Sequence, residues 1–396
     1  MKIAYFSPLP PDRSGIAAYS AALLPHLAEY ADLTLFTDHP EMVDAALHGR
    51  FPIRPTASFA GPLREGVALC LYQMGNNSLY HTEAYHMLRR YPGVVVLHDL
   101  NLHSFYGDLY VRPGRLADYA REMAFDHGRE GVAHARQARR GEQPYDVQRF
   151  PLNGRVVQRS LGIIVHSQFA AAQIGARYPQ TRRQVVPLVQ TLPGAEPTAV
   201  NAKIRLDYAP ETALLASFGY VAPNKRLDVV VRAFANLHGR FPQLRLALVG
   251  QVIEGYNFRA LLDDLNLNND VVRLVGYADE ATFADYLAAT DIGVNLRYPT
   301  LGESSATLLQ LMAYGKPTLV SRVDAFAEVP ETAVIPIDVG SEEQAQVETA
   351  VADLLQNEAR RQAMGAAAAR IVAEQHAPAV VARQYAAFLR QIVGDG

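Results

Sequence analysis

Short apolar runs that stop at a glycine or polar residue and lead into a helical stretch constrain this chain more than any other feature. They occur at residues 2–6, 33–36, 67–72, 94–97 and 161–165, and again at 214–218, 246–249, 271–275, 292–296 and 318–320. Continuous rather than alternating hydrophobicity marks strands buried on both faces. The helical stretches between them (16–29, 79–90, 169–178 and 227–237 among others) supply the crossovers that parallel strands need. The pattern predicts an α/β protein with two series of βα units. Residues 190–201, with Pro193, Gly194 and Pro197, read as the linker between them. Domains are therefore expected at 1–190 and 191–375, with a further strand at 185–188 and helices over 342–356, 358–375 and 380–392.

A chain of 396 residues can hold two sizeable cores. Its net charge of -3 gives no reason to expect a nucleic-acid partner. The lone Cys70 excludes an internal disulfide and a multi-cysteine zinc site. Met1–Phe6 enters a strand with no signal-peptide pattern, and no run approaches the roughly eighteen apolar residues of a membrane span. A cytoplasmic protein is expected. Over residues 101–160 the strands stop and a helical insertion is expected, with ten arginines from Arg112 to Arg159 against six acidic residues. A solvated helix face is the ordinary explanation. The sharper one is a basic surface that leans on anionic lipid or an anionic acceptor, placing the protein peripherally at the inner face of the membrane.

Polar groups directly after a buried parallel strand lie at the carboxyl edge of the sheet, where open α/β folds bind ligands. In the first half three such ends stand out: Ser14-Gly15, Gly75-Asn76 and His98-Asp99. A packing glycine and a histidine bonded to a loop carbonyl are the plain structural alternatives. In the second half Gly219 opens a loop ending in Lys225-Arg226, and Gly276-Tyr277 follows another strand. The chain has only four lysines, and Lys225 sits at the mouth of a helix, where a cation opposes the dipole. That small cost favours a functional reading over a surface lysine. In residues 291–321, strand, glycine-bearing loop, helix and strand follow in turn. Gly302, Glu303, Ser304 and Ser305 fall at the expected helix start, where free N–H groups welcome an anion.

The last stretch resembles the nucleotide-sugar motif of the family-4 retaining glycosyltransferases, Glu-x7-Glu followed by Ala-Met-Ala-x-Gly-x-Pro. Leu311-Met312-Ala313-Tyr314-Gly315-Lys316-Pro317 matches the tail. The second family glutamate falls on Gln310 and the first on Gly302, one residue short of Glu303. Gln310 still offers hydrogen bonds to a ribose diol. The family's glycine-to-lysine phosphate loop matches Gly219 to Lys225, with Tyr220 where an arginine often stands. Its first-lobe histidine matches His98, and its early glycine loop matches Ser14-Gly15.

The resemblance implies the GT-B fold, two Rossmann-like αβα lobes facing across a cleft and closing on the donor. It implies that the last helix, 376–396, packs back on the first lobe. It also implies metal-independent, retaining sugar transfer from a UDP- or GDP-linked donor, with no other cofactor. The acceptor would be a saccharide, lipid-linked or small-molecule hydroxyl. By resemblance His98, Lys225 and Glu303 are catalytic. Ser14, Gly15, Gly219, Arg226, Tyr277, Gly302, Ser304, Ser305 and Gln310 bind the donor, and Asn76 and Asp99 lie on the acceptor side. Two other readings fit a two-lobed chain. One is a non-catalytic sugar-binding module; the other is a phosphorylase-like enzyme with pyridoxal phosphate on Lys225 or Lys316.

Overall fold

The computed structural model describes residues 1–60, 66–194 and 198–394. It divides into two compact units: Met1–Val189 with Leu301–Ser304 and Pro378–Gly396, and Gln190–Thr300 with Ser305–Ala377.

The first unit is built on a seven-stranded sheet: β1 (Lys2–Phe6), β2 (Asp32–Thr37), β3 (Ile53–Pro55), β4 (Leu69–Met74), β5 (Val94–Leu97), β6 (Gly162–Val165) and β7 (Arg183–Val185). The order is β3-β2-β1-β4-β5-β6-β7, and every pairing is parallel. The strand 94–97 lies where the sequence places it. β7 is shifted toward the N-terminus: Pro187 has no N–H to give a ladder, so pairing runs over Arg183, Gln184 and Val185 and ends ahead of Pro187. Both faces are covered. On one lie Phe6, Tyr72, Tyr85 and Phe105; on the other lie Tyr5, Leu24, Tyr385, Phe388 and Leu389. The last three belong to the helix Pro378–Gly394, which packs on the helix Gly15–Leu27, with the Tyr19 and Tyr385 hydroxyls 2.5 Å apart. A β-carbon on Gly162 would lie 2.9 Å from Phe388, so β6 needs that glycine to seat the helix.

The second unit has a six-stranded sheet: β8 (Ala213–Phe218), β9 (Leu244–Val249), β10 (Val272–Leu274), β11 (Ile292–Asn295), β12 (Thr318–Ser321) and β13 (Val334–Ile337). Its order is β10-β9-β8-β11-β12-β13, again all parallel. Helix Leu227–His238 buries Leu227, Val230, Val231, Phe234 and Leu237 against it, the stripe expected from a 3.6-residue period. The expected linker is shorter than residues 190–201. Thr198 caps a helix, Ala199–Arg205, by accepting from Asn201 N–H at 3.3 Å, while Pro197 lies outside the described residues.

In each sheet the chain winds outward from the first strand, then returns to wind the other way. The reversals fall between β1 and β4, and between β8 and β11. Those are the points where such sheets open a crevice at their carboxyl edge.

Candidate nucleotide-sugar and acceptor sites

In the second unit the loops after β8 and β9 run side by side, joined by Val221 N–H to Gln251 O at 2.8 Å and Ile253 N–H to Val221 O at 3.1 Å. Gly219 (φ +92) and Gly250 (φ +155) make this close approach possible, because a β-carbon on Gly250 would collide with Gly219 O. Lys225 folds back over Gly219: its Nζ donates to Phe218 O at 3.3 Å and would lie 3.3 Å from a Gly219 β-carbon. A half-buried ammonium is thus held against a backbone with no side chain between them. Beyond it Tyr220 and Tyr277 are 64% and 63% exposed, two solvent-accessible aromatic residues on the same edge.

Arg226 takes a different course from its neighbour. It adopts φ +54, and its guanidinium is engaged by Glu343, whose side chain is 1% exposed, with Nε at 3.1 Å and Nη2 at 2.5 Å from Oε2. Arg226, expected to bind donor, is here ion-paired with Glu343. Its charge compensates a buried carboxylate.

The helix after β11 runs Ala306–Ala313, two residues later than the sequence suggests. Ser304 and Ser305 both look like caps, but Ser305 is the one used. Its Oγ accepts from Leu308 N–H at 3.2 Å and from Asn295 Nδ2 at 3.1 Å. Asn295 also donates to Thr307 Oγ1 at 3.0 Å, while its buried Oδ1 has no partner. Nothing in the sequence singles out Asn295, which ends an apolar run. Gln310 lies on this helix, half-buried. Gly302, Glu303 and Ser304 precede the helix and group with the first unit. Glu303 Oε2 accepts from Leu301 N–H at 2.6 Å, closing its own turn. Lys316 precedes β12, at the opposite edge from the strand carboxyl ends, and donates to Ala288 O at 2.7 Å. Burial first, then the charge of Lys203, lowers its pKa to about 8.

In the first unit Ser14 caps the helix Gly15–Leu27, accepting from Ile16 N–H at 3.2 Å. Asn76 N–H donates to Asp99 Oδ2 at 2.9 Å, tying the ends of β4 and β5 together. A β-carbon on Gly75 would lie 2.6 Å from Ile16 and 2.9 Å from His81. His98 stands behind them in a chain of rings. His166 Nδ1 is 2.8 Å from Val186 O, and its Nε2 is 3.1 Å from His98 Nδ1. A carbonyl only accepts, so His166 carries its proton on Nδ1, and His98 Nδ1–H donates to it. His98 Nε2 is then a lone pair, 2.7 Å from the Gln73 amide, whose NH2 end the tautomer requires there. Burial first, then His166 and His81, holds the His98 pKa well below 6.5, so the His98 ring stays neutral. His98, expected to be catalytic, is bonded here to Gln73 and His166 within the protein.

Six of the ten arginines from Arg112 to Arg159 are held in ion pairs. Arg112 pairs with Asp108, Arg115 and Arg121 with Asp118, Arg140 with Glu142, Arg149 with Glu130, and Arg155 with Glu122. These pairs offset much of the charge that an anionic surface would recognise. Among the described residues no helix is long and apolar enough to cross a membrane. Among them, too, no three His, Cys, Asp or Glu side chains are grouped to hold a metal.

The second unit is a doubly wound α/β domain with a glycine-framed lysine and a capped helix start at the carboxyl edge of its sheet. Residues 203–371, a little under half of the chain, match the family Glycosyl transferases group 1. D-inositol 3-phosphate glycosyltransferase 2 from Catenulispora acidiphila is 32% identical over 155 residues, covering 37% of this chain and 36% of the relative. The chain thus matches about a third of that relative's length. Among solved structures, sucrose-phosphate synthase from Thermosynechococcus elongatus has TM-score 0.67 at 16% identity, covering 100% of both chains. HepE from Anabaena, in complex with UDP and glucose, has TM-score 0.64 at 16% identity over 99% of this chain and 100% of HepE. Likeness at this identity establishes the fold, which is GT-B.

Proposed function

We propose that this chain is a retaining hexosyltransferase that moves a sugar from a nucleoside diphosphate donor to an acceptor hydroxyl, without a metal or other cofactor. The observation that carries the reading is Lys225 held against Gly219 within the segment that matches the glycosyl transferase family. The anomeric carbon–oxygen bond breaks and its electron pair passes to the diphosphate, where Lys225 stabilises the growing charge. The acceptor oxygen bonds to the same face of the sugar, and its proton goes to the leaving phosphate. Ser305 and the N–H groups it leaves at the helix start hold phosphate oxygens. Gln310 bonds the ribose, and Tyr277 packs on the base. Asn76 and Asp99 serve the acceptor side, and Glu303 takes donor-sugar hydroxyls by resemblance alone. A cytoplasmic setting suits the buried free thiol of Cys70.

A thermal-shift screen against UDP, GDP, ADP and their sugars, with and without EDTA, tests this. Stabilisation by one nucleotide and its sugar, unchanged by EDTA, is the expected result. Stabilisation by free sugars alone would favour a binding module. Activity lost to EDTA and restored by magnesium or manganese would overturn metal independence.

A further inference from the structure

We propose that a recess in the first unit, lined by Ser7, Asp12, Thr37, Asp38 and Thr56, binds a sugar residue that carries neither phosphate nor carboxylate. Calling that sugar the acceptor rests on the transferase reading; the recess and its chemistry do not. The recess measures about 260 Å³, ample room for one six-membered sugar ring. It lies at the carboxyl ends of β1 and β2, beside the reversal of strand order between β1 and β4.

It offers hydroxyls and two carboxylates, and no lysine or arginine lines it among the described residues. Asp38 stands at the open mouth of the recess, and its pKa is raised, first by desolvation and further by Glu83 and Asp12, against the opposing Thr56 hydroxyl and His39. Carboxylates arranged in this way need donors: sugar hydroxyls, or an ammonium in place of one. A phosphate would instead face Asp12 and Asp38 with its own charge, and like charges at this range repel. Leu79 and Tyr80 supply an apolar wall for the C–H face of a ring, and Leu79 is 75% exposed, uncovered by the protein itself. The Catenulispora relative is named for a phosphorylated inositol; this recess selects against such a ligand.

Saturation-transfer NMR on the full chain with glucosamine, glucose and glucose 6-phosphate decides the matter. Glucosamine and glucose should bind, and glucose 6-phosphate should bind at least about tenfold more weakly. Asp38→Asn should weaken glucosamine about tenfold, and Asp12→Asn, run in parallel with melting curves on both, guards against misfolding of either variant. Equal or tighter binding of glucose 6-phosphate, no binding of any of the three, or well-folded variants with unchanged affinity would each overturn the proposal. The nucleotide screen on the unmodified protein is read separately. Nucleotide binding without this sugar preference sinks the recess alone, and sugar preference without nucleotide binding sinks the transferase reading alone.

Discussion

At the carboxyl edge of the first sheet the polar side chains face one another. Asn76 binds Asp99, and Gln73, His98 and His166 form a closed file ending on Val186 O. At the same edge of the second sheet the backbone is laid bare by Gly219 and Gly250, with an ammonium folded over it and two tyrosines standing clear. Both sheets have the same winding order, so topology does not make this difference. The residues at each strand end make it: side chains bonded within the protein in one unit, and glycines that expose backbone in the other. A shared frame can thus present an acidic recess at one edge and a cationic cradle at the other.

The neighbours Lys225 and Arg226 give the strongest way to break this contrast. Arg226→Ala strips the partner from a carboxylate that is almost wholly buried, and should cost about 3–5 kcal/mol of stability. Urea unfolding checks this; an unchanged midpoint would mean that Glu343 finds another partner and that Arg226 is free for ligand. The first unit has its own sensitivity, to acid. His81 is buried neutral, with its pKa lowered by burial to about 4 and His98 as its titratable neighbour. A base whose folded pKa is depressed binds fewer protons folded than unfolded between the two values. Its stability is therefore complete above pH 6.5 and falls as pH drops toward 4, by about 3 kcal/mol in all. Hydrogen exchange at about pH 7 and about pH 5 should show amides of β4 and β5 losing protection before those of β8 and β9. The reverse order would refute the assignment. The smallest effect in free energy, though large in rate, belongs to Lys225→Ala. It should lower turnover about 10²-fold, the scale of a lost preorganised donor, with stability little changed. A loss shared equally between nucleotide affinity and kcat/KM would mean that Lys225 serves ground-state binding only.

How much of this the sequence reveals depends on the length scale of the physics. Strands such as 94–97 are legible because burial on both faces writes an unbroken apolar run. β13 is not, since Pro336 argues against a strand and only its place at the sheet edge lets it pair through the other side. The start of the helix Ala306–Ala313 is ambiguous between two serines until Asn295, eleven residues upstream of that start, donates to one of them. His98 looks like a ligand because its sequence neighbours are visible, and Gln73 and His166, which occupy it, come from other strands. The recess does leave a signal in the sequence. Asp38 and His39 come after β2 just as His98 and Asp99 come after β5, but a strand read as ending at Phe36 makes ordinary loop residues of them.

The helix Pro378–Gly394 has a bearing on how the protein is made. It supplies Tyr385, Phe388 and Leu389 to the core of a unit whose other strands are all complete by Val185. During synthesis that unit must wait, with an apolar face uncovered, while the chain between Val189 and Pro378 is added, roughly 10–40 s at ribosomal rates. The second unit, apart from Leu301–Ser304, is continuous in that interval and can close first. Order of emergence from the ribosome and order of folding are therefore reversed. A nascent chain stalled before Tyr385 is the species on which a chaperone would find its grip.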